Sequence, residues 1–430
     1  MSTESTVSAA PALVLVGGAA AIPLGEDVAA HALRQGRARG LATHVTNQAA
    51  TLAQTPGVSA LADASWAVDF ERPDECAAWA GARAAAGQRF DVVIGIREFA
   101  QVATAEVAAA TGAPGNPPEA VRTVRNKDAC RAALAAGGFP QPRFRLCTDR
   151  ADAVRFMAES RGPWVVKPRD SMGSEGVRRV DSLDTGSELD TGGLDTGGLD
   201  AALAALPGPG PFLVEEFVHG TEYSVEGVFL GGSPHVLAVT EKQLMDPPLF
   251  VEAGHVLPAR LDADTRSTFE AWTASALAQL GLRFGVFHVE LWHTEQGVVI
   301  GEVHVRNGGD WIHLMLQHAI PGLELFGVVY DDALGRPVDR GRLVATRAAA
   351  VRFLTPPPGV LDRVEGWDKV AAHPAVLRAA LTVAPGDEIA PIGASHHRAG
   401  EIVVGADTAG EAAALALELA ESVTFVLAND

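Results

Sequence analysis

Phe287 to Asp310 reads FHVELWHTEQGVVIGEVHVRNGGD. Two β-rich runs flank a Gly-containing turn, and side chains alternate between the faces of a strand. Phe287, Val289 and Leu291 therefore share one face, and His288, Glu290 and Trp292 the other. On the second run Val303 and Val305 point to a core, while Glu302, His304 and Arg306 point away together. If Glu295 to Gly297 form a three-residue loop with Gly297 left-handed, Glu290 lies across from Glu302. Directly opposed residues have Cβ atoms about 4.5–5.5 Å apart. Two carboxylates that close repel unless a cation lies between them, and magnesium favours one or two carboxylates plus phosphate oxygens. The alternative is that one of the two charges splays into solvent.

Working outward, two further segments add to this pair. VVKPRDSMGSEGVRRV places Lys167 at the end of an apolar strand, ahead of a loop from Asp170 to Gly176. Gly173 and Gly176 let backbone N–H groups approach an anion, and Ser174 adds a hydroxyl donor. A plain hairpin turn with a solvent-reaching lysine is the competing reading. FLVEEFVHGTEYSVEG closes one strand on Glu215 and Glu216 and opens the next with Glu222 after Gly220. Such a bend offers backbone groups to an adenine edge and a carboxylate to ribose hydroxyls, although acidic hairpin rims are also common without a ligand. Only four lysines occur, Lys127, Lys167, Lys242 and Lys369, in a chain otherwise using arginine for its basic positions. A retained lysine suggests a need for a compact ammonium.

The 430 residues predict two or three domains. Ala12 to Val16 reads as a buried strand entering Gly17-Gly18, and Asp91 to Ile96 as a second strand, with Ala-rich helical stretches around them. No Gly-Lys-Ser/Thr follows Gly18, so this is a tight turn and not a Walker loop. Gly112 to Pro118 reads as a linker, and the LDTG repeat from Leu183 to Asp200 as a flexible surface insertion. Dense short strands from Trp164 onward, with helices at Thr268–Gln279 and Trp311–His318, give an α+β pattern. A third region from about Ala345 ends in a helix over Ala409–Leu419.

A formal charge of -19 disfavours general nucleic-acid binding. No apolar run is long enough for a membrane helix. Met1 to Ala10 lacks the pattern of a secretory signal, and Cys76, Cys130 and Cys147 are too dispersed for a disulfide framework. A cytoplasmic setting is expected.

Lysine in VVKP, the Gly-Ser-Gly loop, the EExxxGxEYSV bend and the HxE plus ExxxR strands followed by GG resemble the ATP-grasp superfamily in order and spacing, over about residues 115–325. Within it the chain looks most like the L-amino acid ligases. FVEAGHVLP (250–258), AVRFLTPPPGVL (350–361) and PGDEIAPIGASHHRAGEIVVG (385–405) carry that finer likeness. The resemblance implies an ATP-grasp fold, mixed α/β and α+β, with an N-terminal α/β domain (1–115), a nucleotide-binding and catalytic region (116–325) and a C-terminal α+β ligase domain (326–430). It implies ATP with magnesium, or manganese in its place. Lys127 and Lys167 would hold phosphates, with Gly173, Ser174 and Gly176 closing over them. Glu215, Glu216 and the backbone near Val218 would hold adenine, and Glu222 the ribose. Glu290, Glu302 and His304 would face the metal, although the family usually has Asn where His304 stands. Glu252 would meet a substrate α-amino group, with Lys242, Gly308 and Gly309 beside the substrate. His255 would lie next to the reacting carboxylate, and Arg306 would stabilise the transferring phosphoryl group or the tetrahedral intermediate.

The implied reaction phosphorylates a carboxylate and then admits an amine to the acyl phosphate, releasing ADP and phosphate. Implied partners are amino-acid or amine substrates and a second copy in a homodimer, without nucleic acid or membrane. The competing readings are another ATP-grasp activity (carboxylation, or ligation of a non-amino-acid substrate), a kinase that stops at a phosphoryl product, and a nucleotide-binding protein without catalysis.

Overall fold

The computed structural model describes residues 10–182, 198–245 and 250–428. The acidic repeat lies outside these residues except for its last three, Gly198 to Asp200, of which Leu199 and Asp200 open a short helix, Leu199–Ala204.

The N-terminal part is a parallel four-stranded sheet in the order Ala64–Ala67, Ala42–Asn47, Ala12–Val16, Val92–Gly95. The first strand, ALVLV, is buried along its whole length, as expected of a strand covered on both faces. Two strands of this sheet, ATHVTN and ASWA, fall where helix was expected. Both are short and rich in small or polar residues, so only pairing with an apolar neighbour makes them strands. Gly17 and Gly18 adopt positive φ at the strand end, which is the tight turn read from the sequence.

The centre of the molecule is an eight-stranded sheet, antiparallel at every pairing: Gly297–His304, Val286–Thr294, Thr221–Leu230, Ser233–Leu244, Glu252–Leu257, Ala348–Leu354, Gly400–Ala406 and Val376–Leu381. Strands from before residue 325 and after it thus belong to one sheet. On one face Val225, Phe287, Val289, Leu291 and Val303 pack with Phe269 and Leu277 of the helix Ala263–Gln279. That helix starts five residues earlier than expected because the Asp262 carboxylate accepts from the Thr265 N–H at its N-terminus. The opposite face carries Ser224, Glu226, His288 and Glu290. This alternation turns one sheet surface into core and the other into a charged floor.

The decisive hairpin differs in one detail from expectation. Thr294 pairs with Gly297, so Glu295 and Gln296 alone make the connection, and a one-residue bulge then shifts the register between Val289 and Leu291. The bulge restores the expected pairing of His288 with His304 and Val289 with Val303. Gly297 has φ 118°, outside the range a side chain tolerates well.

A smaller antiparallel sheet, in the order Phe144–Cys147, Phe212–Glu216, Trp164–Pro168, Arg178–Val180, sits against helices Arg150–Glu159 and Leu199–Ala204. The cleft between this sheet and the charged floor has Lys127, Lys167, Glu222, Glu252, Glu290 and Glu302 in its walls. The closing helix Ala409–Glu421 begins at a capping box of Thr408 and Glu411 and packs on Val256 and Val404. No helix among the described residues is long and apolar enough to cross a membrane.

Candidate active site

The glycine-loop end of the cleft is built from a strand end and a helix start. Lys167 closes the fully buried strand WVVKP, and its Nζ lies 2.8 Å from Glu215 Oε1 and 3.8 Å from Glu302 Oε1. Lys127 opens the helix Lys127–Ala136 and donates to the Ser171 carbonyl at 2.8 Å, with Glu302 Oε2 at 3.2 Å. Both ammonium groups therefore meet at one carboxylate. Gly173, Ser174 and Gly176 all have positive φ (67°, 58° and 69°), and the Ser174 hydroxyl donates to the Phe250 carbonyl at 2.7 Å. A left-handed serine is a strained conformation that its surroundings must hold.

Glu215 reaches the cleft wall among cations. It is buried, and it pairs with Arg131 Nε at 2.5 Å as well as with Lys167. Burial pushes its carboxyl up, but Arg131 and Lys167 outweigh this and hold it at about 2. Its carboxylate lines the cleft and is paired there with two cations. The Glu216 carboxylate accepts from the Arg161 N–H at 2.9 Å, outside the cleft. Phe217 and Val218 remain in the cleft wall with their backbone.

The acid pair sits as the alternation required. Glu290 and Glu302 both line the cleft. Glu290 lies 3.2 Å from Lys242 Nζ and 3.3 Å from His288 Nε2. His288 is in turn gripped by the buried Glu226 at 2.9 Å, which raises its pKa to about 9 against the effect of burial. Burial pushes both acid-pair carboxyls up, and the surrounding cations hold both below their ordinary value. Two hard carboxylates on neighbouring strands fit magnesium, and the flanking lysines supply the remaining positive charge toward phosphate. His304 fits less well: its Nδ1 lies 3.1 Å from Glu98, while its Nε2 is 3.8 Å from Glu302.

Lys242 organises the other end. Its buried ammonium has Glu222 at 2.5 Å, Glu290 at 3.2 Å and Glu252 at 3.5 Å. Three carboxylates around one cation leave excess negative charge. Burial accordingly raises the Glu222 carboxyl, and Lys242 offsets this only in part. Glu252 also accepts from the Ser395 hydroxyl at 3.1 Å. A surplus of carboxylate beside an open cleft attracts an ammonium. His255, expected beside a reacting carboxylate, is buried behind this wall. Its Nε2 contacts Asp310 at 2.9 Å and its Nδ1 has no partner.

Several residues of the site carried no expectation. Glu98, from the N-terminal part, is buried and receives Arg125 at 2.5 Å, Arg306 Nε and His304. It thereby fixes the guanidinium of Arg306, which also donates to the Asn307 carbonyl at 2.7 Å. Burial raises the Glu98 carboxyl, but Arg306 and His304 carry it well below the ordinary range. An acid two residues after the stretch DVVIGI was the available signal. Arg131, mid-helix in KDACRAALAA, had none. Asp310 and Trp311 adopt positive φ (53° and 63°) after Gly309, and Arg398 clamps Asp310 at 2.6 and 3.0 Å. Gly308 has no room for a side chain, since a Cβ would meet Ile312, His288 and Glu226 at 2.9–3.2 Å, whereas Gly309 faces open space. Outside the cleft, Asp27, His31 and His313 bring three ligand-type atoms within 4.8 Å of one another. Asp27 serves both imidazoles there, at 3.3 and 2.8 Å.

Residues 160–314 match the ATP-grasp domain family, and residues 352–428 match the L-amino acid ligase C-terminal domain 2 family. An uncharacterised protein of Sinorhizobium fredii, y4rH, is 30% identical over 73% of the chain, and the match spans 63% of its own length. Carnosine synthase 1 of Gallus gallus is 28% identical over 59% of the chain, a stretch equal to 28% of that enzyme. The chain thus spans under two thirds of these relatives' lengths. The crystal structure of an L-amino acid ligase from Bacillus licheniformis superposes with a TM-score of 0.78 at 22% identity, covering 97% of this chain and 99% of that one. The fold is the ATP-grasp fold, and 97% of the chain shares the fold of that one ligase.

Proposed function

We propose that this chain, which carries an ATP-grasp domain and an L-amino acid ligase C-terminal domain, is an ATP-dependent ligase that joins the carboxylate of an amino acid to a second amine through an acyl phosphate. The observation that carries this reading is the single cleft with two lysines at one end, two metal-type glutamates in the middle and surplus carboxylate at the other.

In this reading Lys127 and Lys167 hold ATP phosphates, and Glu290 and Glu302 hold magnesium. The metal, when bound, neutralises charge on the transferring phosphoryl group. Glu252 holds the α-ammonium of the amino acid, which sets its carboxylate toward the γ-phosphate. Arg306, fixed by Glu98, meets negative charge that develops on the phosphoryl group and then on the acyl carbon's oxygen. Phe217, Val218, Phe250 and Met172 wall the cleft and limit water, which protects an acyl phosphate from hydrolysis. His255 acts from behind, by orienting Asp310, and does not touch the reacting atoms.

The test is a screen of amino-acid pairs for ADP and phosphate release, with product masses. Release that needs two substrates and yields a dehydrated adduct supports ligation. Release driven by bicarbonate alone, or by no pair at all, overturns it. Hydroxylamine added with one amino acid should trap a hydroxamate.

A further inference from the structure

We propose that Ser395 ties recognition of the substrate amine to closure of the phosphate loop, an inference that rests on the ligase reading above. The stretch PIGASHHRAGEIVVG stands far in sequence from every residue that binds in that reading. The fold nevertheless brings its turn, Ser395–His397, to the meeting point of both ends of the cleft.

All three polar groups of Ser395 are used. Its N–H donates to the Gly173 carbonyl at 3.1 Å, in the phosphate loop. Its hydroxyl donates to Glu252 Oε2 at 3.1 Å, on the amine-binding strand. Its carbonyl accepts from Arg398 Nε at 2.7 Å. Arg398 is itself fixed, with both terminal nitrogens on Asp310 and its guanidinium 3.5 Å from the centre of the Phe353 ring. A second tie runs in parallel, from the Ser174 hydroxyl to the Phe250 carbonyl two residues before Glu252.

The phosphate loop therefore takes part of its hold from outside itself. Gly173 and Gly176 take up left-handed backbone readily, but Ser174 between them is also left-handed, which its Cβ disfavours. An ammonium arriving at Glu252 competes with Lys242, 3.5 Å away, and re-aims the carboxylate. The serine hydroxyl follows that carboxylate, and the same residue's N–H holds Gly173. Phosphate bound in the loop fixes Gly173 and so presents Ser395 to Glu252. Two ligands acting on one element must be coupled, and the coupling is equal in both directions.

The experiment uses the full chain, magnesium, a non-hydrolysable ATP analogue and an amino acid active in the release screen. Calorimetry gives the dissociation constant of the analogue with and without saturating amino acid. The amino acid should tighten analogue binding by about tenfold, inside the 5- to 150-fold range typical of coupled sites. Ser395→Ala, which loses the hydroxyl and keeps the N–H, should reduce this to under about threefold, and Ser395→Thr should retain it. Hydrogen exchange at residues 171–176 gives a measurement on the wild-type chain alone, where amino acid without nucleotide should slow exchange. Undiminished coupling in Ser395→Ala, or no slowing in the wild type, overturns the proposal while leaving ligation standing. If no amino acid binds the wild type at all, the ligase reading falls and takes this inference with it.

Discussion

Replacing Lys167 by methionine tests the proposed phosphate grip and, on the same protein, the ion pair with Glu215. The ammonium lies 2.8 Å from Glu215 and 3.8 Å from Glu302, in the wall of the cleft. Methionine keeps the length of the side chain and removes the charge. A charge-assisted contact to phosphate contributes about 1.5–3 kcal/mol, which is roughly a 10- to 150-fold weakening of ATP. The fold should survive, since Arg131 still pairs with Glu215 at 2.5 Å and the carboxylate is not left alone. The loss of one of its two cations should cost about 1–3 kcal/mol, seen as a lower urea midpoint with an unchanged slope. ATP binding is measured by calorimetry with magnesium, on protein whose urea curve shows it fully folded. An ATP dissociation constant within twofold of wild type would refute the phosphate assignment. A loss of binding accompanied by unfolding would show instead that Lys167 is needed chiefly to neutralise Glu215.

Glu252→Ala should raise the Michaelis constant of the activated amino acid by about tenfold or more, through loss of roughly 1.4 kcal/mol or more, and leave ATP affinity measured without amino acid near that of wild type. Equal losses for the amino acid and its des-amino analogue would show that Glu252 does not read the amine. Glu98→Gln should lower kcat by on the order of tenfold or more with little change in either Michaelis constant, because it loosens Arg306 without touching substrate. A drop confined to Michaelis constants would count against that role. Acid stability should depend on Glu215, whose carboxyl falls from the ordinary 4.5 to about 2 in the folded chain. A depressed folded value means stability that is present above about pH 4.5 and lost as pH falls through about 2, a contribution of roughly 3 kcal/mol. Urea unfolding from pH 6 to pH 3 should show a shallower decline for Glu215→Gln than for wild type, and parallel curves would contradict it.

Much of the cleft was legible because strands expose a two-residue period. That period alone put Glu290 with His288, and Glu302 with His304 and Arg306, on faces opposite to the valines of the core. The register at His288 and Val289 survived an error in the loop, since a bulge at Glu290 shifted it back by the one residue that the shorter connection had displaced. The lysines were legible for a different reason. In a chain that uses arginine almost everywhere the four lysines stood out, Lys167 also by its strand end before a glycine loop, and Lys127, Lys167 and Lys242 all line the cleft.

What the sequence left open depends on contacts between residues far apart in the chain. Glu215 and Glu216 are neighbours of identical chemistry, yet one is buried between Arg131 and Lys167 and the other reaches a backbone N–H outside the cleft. No local pattern separates them, because their difference lies in which face of a strand meets helix Lys127–Ala136. The strands ATHVTN and ASWA needed their parallel neighbours to become strands at all. Glu98 reaches Arg306 over 208 positions of sequence, and Ser395 reaches Glu252 over 143. The sequence by itself determined the alternating strands, the glycine loop and the types of charge available. Only the packing of the sheets decided which carboxylates keep a cation to themselves and which remain short of one, for a buried charge is set by every partner that folding brings within a few ångströms.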